Sequence, residues 1–210
     1  ELTTGGLYRK TWYYSGEGLY LLKSDNHEYN INTRMEVLCS NLLNCFRNKI
    51  ECVTYEGRIE PAEQEELYVD YCECFVNDAY SLVEARELME FYRYDKDHFR
   101  SFLGYQKAVS SIAVLDYILA NTDRHLENYG FLMDNDSGEI KCLAPLYDFN
   151  MGLVSDWFGM NPDVGTGMSQ MFDDGCSIRA LAYEYRNTCD LILDYKKFMH
   201  LKEEYSRRMP

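Results

Sequence analysis

The sequence predicts an α+β fold with a β-rich N-terminal part and a larger helical C-terminal part. Most strand-like segments with alternating apolar residues lie within residues 1–76, whereas the spacing of apolar residues is mainly helical from Ser81 onward. A chain of 210 residues is long enough for one compact domain or for two small lobes that share a cleft. We therefore predict an N-terminal lobe at residues 1–76 and a C-terminal lobe at residues 77–210.

The first 23 residues read as a glycine loop followed by two strands. The pair Gly5 and Gly6 precedes strands predicted at residues 7–14 and 19–23. Adjacent glycines let backbone N–H groups approach a phosphate closely, and a plain hairpin is the alternative interpretation. Lys23 ends the second strand, where it is either a functional cation or an ordinary surface lysine.

The next segments alternate between helix and strand. Apolar spacing predicts a helix over residues 33–46, and Thr33 to Glu36 has the pattern of a capping box. Strands are predicted at residues 52–55 and 67–75, separated by an acidic stretch at residues 56–66 that suits an exposed turn.

From Ser81 onward the pattern is mainly helical. The segment 106–120 carries apolar residues around much of its circumference and is predicted to lie at the centre of the larger lobe. The predicted helices are 81–92, 96–103, 106–120, 177–186 and 187–207.

The most informative motif is Asn121-Thr-Asp-Arg-His-Leu-Glu-Asn128, followed after a predicted hairpin by Tyr147-Asp148-Phe149-Asn150. It places the carboxylate of Asp123 and, five positions later, the amide of Asn128 before the hairpin. A second carboxylate, that of Asp148, follows the hairpin. This layout suits phosphoryl transfer from a magnesium-bound nucleotide, with Asp123 near the acceptor hydroxyl and with Asn128 and Asp148 as oxygen ligands of Mg²⁺. The alternative is that all three are turn and cap residues.

At these residues the chain resembles the HipA-like Ser/Thr kinases of bacteria and, more distantly, the phosphoinositide 3/4-kinases. The likeness lies in Asn-x-Asp-x-His-x-x-Asn at residues 121–128 and in Ala-Pro-Leu-Tyr-Asp at residues 144–148. Arg124 departs from the usual HipA pattern and resembles the Asp-Arg-His of lipid kinases. Asn150 stands where many kinases have the glycine of Asp-Phe-Gly.

The resemblance implies a bilobal protein-kinase-like fold that uses ATP and Mg²⁺. It implies that Lys23 reaches the nucleotide phosphates, that Glu36 pairs with this lysine, and that Gly5 and Gly6 belong to the phosphate loop. Glu73-Cys74-Phe75 resembles the hinge that binds the adenine edge through the backbone of Glu73 and Phe75. The implied catalytic residues are Asp123, His125, which supports the loop, and Asn128, and the implied metal ligands are Asn128 and Asp148.

Charge and cysteine content narrow the class of protein. The formal charge is −14, with 35 acidic and 21 basic residues, which argues against direct nucleic-acid binding and against anionic membrane surfaces. The eight cysteines form no Cys-x-x-Cys pair and are predicted to be reduced core residues of a cytoplasmic protein. The sequence contains no run of the ~18 apolar residues that a membrane span requires.

The sequence therefore predicts a kinase that transfers the γ-phosphoryl group of ATP to a protein Ser or Thr. The resemblance makes autophosphorylation and an antitoxin-type partner conceivable. Three alternatives remain open. They are a nucleotide-binding pseudokinase that acts as an interaction module, a lipid or small-molecule kinase, and a metal-dependent phosphoesterase that uses Asp123, His125 and Asp148.

Overall fold

A computed structural model of the chain describes residues 9–24, 30–61, 66–93, 106–153, 177–187 and 189–208. Within these ranges the chain forms nine strands and five helices. The strands are β1 (Arg9–Ser15), β2 (Gly18–Ser24), β3 (Phe46–Arg47), β4 (Glu56–Pro61), β5 (Glu66–Glu73), β6 (Tyr80–Glu84), β7 (Gly130–Asp134), β8 (Ile140–Leu143) and β9 (Ile192–Leu193); the helices are α1 (Ile31–Leu43), α2 (Ala85–Phe91), α3 (Gln106–Ile118), α4 (Ile178–Tyr185) and α5 (Tyr195–Arg208).

The N-terminal sheet has four antiparallel strands in the order β1-β2-β5-β4. Lys23 of β2 lies opposite Lys10 of β1 on one side and opposite Asp70 of β5 on the other. Residues that face each other across an antiparallel pair project to the same face of the sheet. Helix α1 packs against β4 and β5, so the sheet and this helix enclose Lys23, which is 5% exposed.

The second sheet is the three-stranded β6-β7-β8, which carries the predicted hairpin. The hairpin prediction is confirmed, since β7 and β8 flank a turn in which the side chain of Asp134 accepts hydrogen bonds from the backbone of Asp136 and Ser137. Helix α3 packs against α4 and ends with Ala120 in the left-handed conformation, at φ 52°. The N–H of Asn121 then donates to the carbonyl of Asp116, as at many helix C-termini.

Several predicted element boundaries are wrong. Residues 56–61 form strand β4 instead of an exposed turn, because its backbone pairs with β5 although most of its side chains are exposed. Residues 52–55 make only an isolated bridge between Cys52 and Leu146.

Two predicted helices begin later than expected. Residues 80–84 form strand β6 against β7, and α2 starts only at Ala85. Strand β9 at Ile192–Leu193 pairs with β3 before α5 begins. The predicted helix at 96–103 lies outside the described residues.

The main core joins residues of helices α1 to α4 with residues of strands β5 and β7 and of the segments between these elements. Its largest fully buried apolar side chains include Tyr129, Phe131 and Phe149, which follow Asn128 and Asp148 closely in the sequence.

The described cysteines are free thiols, but the prediction that they are core residues is wrong for several of them: Cys39, Cys45 and Cys72 are buried, whereas Cys142 is exposed. Within the described ranges, no helix combines the length and apolarity that a membrane crossing requires.

Candidate phosphotransfer site

The first half of the site is the ion pair between Lys23 and Glu36. The Lys23 ammonium donates to both carboxylate oxygens of Glu36, at 2.8 and 2.9 Å. Glu36 is fully buried, and its Oε1 also accepts the backbone N–H of Phe149 at 3.1 Å. Of the two interpretations of Glu36, the structure favours the pair with Lys23, because α1 begins at Ile31 and its N-cap is Asn30 instead of Thr33.

Asp148 completes this half. Its Oδ1 lies 3.5 Å from the Lys23 nitrogen, and its backbone N–H donates to the Tyr55 hydroxyl at 3.3 Å. Asp148 has a φ of 60°, a left-handed conformation that is unusual for a residue other than glycine and is held only by surrounding contacts. The hydrogen bonds from the backbone of Asp148 and Phe149 supply such contacts.

The second half is the loop after α3, which carries Asp123 and Asn128. The Asn128 amide nitrogen donates to the backbone carbonyl of Asp123 at 2.8 Å, so its Oδ1 points away from that carbonyl. The Asn121 side chain accepts the N–H of Asp123 at 3.3 Å and donates to Asp116 at 3.0 Å. His125 Nδ1 accepts the N–H of Glu127 at 3.2 Å, a contact that orders the loop.

Arg124 joins the two halves. It is 1% exposed, and one guanidinium nitrogen donates to the backbone carbonyls of both Asn128 and Tyr147, each at 2.5 Å. Those two carbonyl oxygens are therefore no farther apart than twice that distance. The residues predicted to hold the metal, Asn128 and the Asp148 that follows Tyr147, are thus anchored through one side chain.

Arg124 is itself held in place by Asp116 and Phe149. Its guanidinium pairs with the buried Asp116 of α3, with a shortest distance of 3.1 Å, and lies 5.4 Å from the ring centroid of Phe149. The burial of Arg124 and its partners give it a structural role, since it faces the protein interior.

The pKa values of the Asp123 and Asp148 carboxylates are shifted in opposite directions. Burial tends to raise the pKa of Asp148, but Lys23, Lys10 and Arg124 outweigh it and hold the pKa below its usual range. Burial raises the pKa of Asp123, His125 opposes this, and the charge of Asp148 adds to it. Asp148 is therefore suited to bind a cation, and Asp123 is better suited to accept a proton.

The ammonium between these acids is held in its charged form. Burial lowers the pKa of Lys23, but Asp148 and Glu36 more than reverse this, and the pKa lies well above its usual value. A permanently charged Lys23 suits the neutralisation of phosphate oxygens.

The donor set fits a magnesium ion coordinated by a few protein oxygens and otherwise by water and phosphate. Asn128 Oδ1 and the Asp148 carboxylate are the hard oxygen ligands that Mg²⁺ prefers. Among the described residues, no group of three or more His, Cys, Asp and Glu side chains forms a candidate metal cage.

The predicted hinge residues lie at the end of β5. Glu73 is opposite Tyr20, and the N–H of the next residue, Cys74, donates to the carbonyl of Leu19 at 2.8 Å. The Phe75 ring stacks on Tyr147, with a centroid distance of 5.8 Å. The hinge segment therefore contacts the residue that precedes Asp148. Gly5 and Gly6 lie outside the described residues.

Sequence reasoning missed several residues of this site. Tyr55, Asp70 and Asp116 are buried around it, yet none belongs to a local motif. Lys10 was missed as well, although it stands opposite Lys23 and acts on Asp148. Only the alternation of β1 and β2 could have indicated that Lys10 and Lys23 share a face.

The fold resembles that of a kinase of known structure. The chain matches the crystal structure of the Helicobacter pylori proinflammatory kinase CtkA with a TM-score of 0.64 and 16% sequence identity, over 89% of this chain and 77% of the other. No protein-family model matches the chain, and no curated protein matches it. The chain thus has a mixed α/β, kinase-like fold.

Proposed function

We propose that this chain is an ATP- and Mg²⁺-dependent kinase that transfers the γ-phosphoryl group to a Ser or Thr hydroxyl of a protein. The observation that carries the proposal is the connection of the Lys23, Glu36 and Asp148 cluster to the Asp123 and Asn128 loop through Arg124. The kinase-like fold and the resemblance to HipA-like kinases support it.

In the proposed reaction, Asp123 accepts the proton of the acceptor hydroxyl as its oxygen forms a bond to the γ-phosphorus. The bond between that phosphorus and the bridging oxygen breaks, and ADP leaves. Lys23 neutralises phosphate charge, and Glu36 holds Lys23 in place. Asn128 and Asp148 would hold Mg²⁺, which supplies further neutralisation of the phosphates.

The proposal extends to the surroundings of the enzyme. By resemblance, the partners are a protein substrate and an antitoxin-type protein, the location is the cytoplasm, and autophosphorylation accompanies transfer to the substrate. The net charge of −14 disfavours an anionic lipid as acceptor, because like charges repel at a membrane surface.

The test is label transfer from γ-labelled ATP with Mg²⁺, alone and with a generic acceptor protein. We expect Asp123→Asn to reduce transfer by about 10²- to 10⁴-fold, because removal of a general base typically costs that much. Asp136→Asn changes an exposed turn residue in the same way and serves as the matched control.

The other outcomes separate the alternatives. Stabilisation by nucleotide without transfer would identify a pseudokinase, and transfer to a lipid or a small molecule alone would identify another acceptor class. Release of phosphate from simple esters would identify a phosphoesterase.

A further inference from the structure

Asp70 is a buried acid without a donor. It is 0% exposed, and among the described residues it is the only one whose buried side-chain atoms lack a hydrogen-bond partner, at both carboxylate oxygens. An ionised carboxylate in such a place is strongly disfavoured unless it is paired. Either Asp70 is neutral or the fold bears an uncompensated charge beside its candidate site.

The neighbours of Asp70 explain why it lacks a donor. It lies directly opposite Lys23 across β2 and β5, but the Lys23 ammonium already bridges both oxygens of Glu36. The group that raises the pKa of Asp70 most after burial is Glu36, which is also an acid. Two carboxyl groups can share a hydrogen bond only if one of them carries a proton.

The proton belongs on Asp70 and not on Glu36. Glu36 has two stabilising donors, the Lys23 ammonium and the N–H of Phe149, whereas Asp70 has none. Burial, followed by the charge of Glu36, raises the pKa of Asp70 to about 9, although Lys23 opposes this. When two acids share a site, the one with poorer support for its charge keeps the proton.

We propose that Asp70 is a positioning residue of the phosphate-binding lysine and works as an uncharged acid that donates its proton to Glu36. This inference rests on the proposed function for its role in nucleotide binding. Glu36 then holds the ammonium through both of its oxygens, Asp148 lies 3.5 Å away, and Lys23 stays able to meet incoming phosphates. An ionised Asp70 would place a third full negative charge beside Lys23 and compete with those phosphates.

The other titratable groups around this pair are accounted for. The groups that act on Asp70 or on its partner Glu36 are Lys23 from β2, Glu36 and Cys39 from α1, Cys72 from β5, Tyr55 from the segment before β4, and Asp148 from the segment after β8. Burial raises the pKa of both the Cys39 and the Cys72 thiol, so both thiols stay neutral and add no charge beside Asp70.

The first experiment is a pH titration of the unliganded wild-type chain in metal-free buffer. The carboxyl carbon of Asp70 is followed by NMR after labelling of the aspartates, with Asp70→Asn to assign the signal. We expect Asp70 to hold its proton through neutral pH and to lose it near pH 9. Ionisation near the ordinary aspartate value of about 3.9 would overturn the proposal.

The proton that Asp70 keeps also makes the stability of the folded chain depend on pH. Between about pH 4 and pH 9 the folded chain keeps a proton that the unfolded chain has lost, so stability falls as pH rises. Asn keeps the donor but cannot ionise. We therefore expect the unfolding midpoint of the wild type to fall relative to that of Asp70→Asn over this range. Parallel profiles, or failure of Asp70→Asn to fold, would contradict the proposal.

The second experiment measures the affinity for Mg²⁺-ATP by calorimetry in the wild type, Asp70→Asn and Asp70→Leu. We expect Asn to keep the affinity within about threefold and Leu, which has similar bulk but no donor, to weaken it at least about tenfold. Above about pH 9, wild-type affinity should fall while that of Asp70→Asn stays level.

Equal affinities of the Asn and Leu variants would show that Asp70 does not position Lys23. If the wild type does not bind Mg²⁺-ATP at all, the proposed function fails, while the NMR titration still decides the protonation state of Asp70.

Discussion

At the scale of single residues, the site depends on a buried ion pair that is stable only while both partners are present. Lys23 and Glu36 are 5% and 0% exposed. Removing one partner of a buried pair leaves the other charge without compensation, which costs more than the pair contributes. Lys23 would still contact Asp148, but at 3.5 Å and through one oxygen only.

The replacement Glu36→Gln tests this pair. We expect a loss of about 3–5 kcal/mol in the free energy of unfolding, measured by urea denaturation, because the Lys23 ammonium loses its bidentate acceptor. The matched control is Glu60→Gln, which breaks the exposed pair with Arg58 and should cost about 0–1 kcal/mol. A similar cost for both variants would contradict the prediction.

Tyr55 is the second residue of interest because its hydroxyl supports the strained Asp148. The hydroxyl accepts the N–H of Asp148 at 3.3 Å and the Lys23 ammonium at 3.5 Å. Its ring contacts Phe149 edge to face, with centroids 6.3 Å apart. The ring fixes the packing, whereas the hydroxyl fixes the backbone of Asp148.

The replacement Tyr55→Phe separates these contributions. We expect a loss of about 1–3 kcal/mol in unfolding free energy, since the buried N–H of Asp148 loses its acceptor. We also expect weaker Mg²⁺-dependent binding of ATP, measured by calorimetry. Tyr71→Phe removes a hydroxyl from an exposed pair with Glu56 and serves as the control, with no expected effect on ATP binding.

At the scale of elements, Arg124 connects the end of α3, the loop that follows it and the segment after β8. Its contacts use the planar guanidinium in several directions, to Asp116, to two backbone carbonyls and over the Phe149 ring. Lysine has the same charge but presents it as a point and cannot reproduce this geometry.

We therefore expect Arg124→Lys to lower the unfolding free energy by about 2–4 kcal/mol, because Asp116 is left partly uncompensated. Phosphotransfer should fall as well, because Asn128 and Asp148 lose their common anchor. Arg86→Lys, at the exposed pair with Glu127, should change both quantities little. Full activity of Arg124→Lys would show that the loops are aligned by other contacts.

The elements also show which secondary structure a local sequence pattern can predict. The hairpin of β7 and β8 was predicted because its turn residues and its alternation are local. Strand β4 was missed, since its side chains are mostly exposed and its evidence is the backbone pairing with β5. An edge strand of this kind has no apolar face to signal it.

At the scale of the whole molecule, close packing brings the segment after Asp148 against two helices that are far away in sequence. The N–H of Leu153 donates to the carbonyl of Leu119 at 2.8 Å. A Cβ added at Gly152 would lie 2.5 Å from Cys39 Sγ in α1 and 3.1 Å from the carbonyl oxygen of Phe149. Glycine is needed there for close approach and not for its backbone conformation.

We expect Gly152→Ala to cost about 1–3 kcal/mol of unfolding free energy, as is usual when a methyl group is forced into a packed core. The shift of Phe149 and Asp148 should also weaken ATP binding. Gly16→Ala adds a methyl group where no atom lies within 4 Å and is the matched control. Thermal unfolding of both variants, compared with the wild type, measures the difference.

The sequence by itself determined which residues can carry the chemistry and which local elements surround them. Short sequence patterns predict the motif at residues 121–128, the hairpin, a central helix at 106–120, which the structure forms at Gln106–Ile118, and Lys23 at the end of a strand. The catalytic and binding roles of these residues remain predictions that the proposed experiments test. The place of Gly5 and Gly6 in a phosphate loop also remains a prediction.

Only the tertiary structure decided which acid faces which cation. Glu36 could have capped its helix, and no sequence pattern indicated that Asp116 pairs with Arg124 or that Asp70 lies opposite Lys23. The physical reason is that burial and charge pairing depend on neighbours from distant parts of the chain. A pattern of a few residues records helical or strand periodicity, but it does not record which distant side chain will share the same low-dielectric interior.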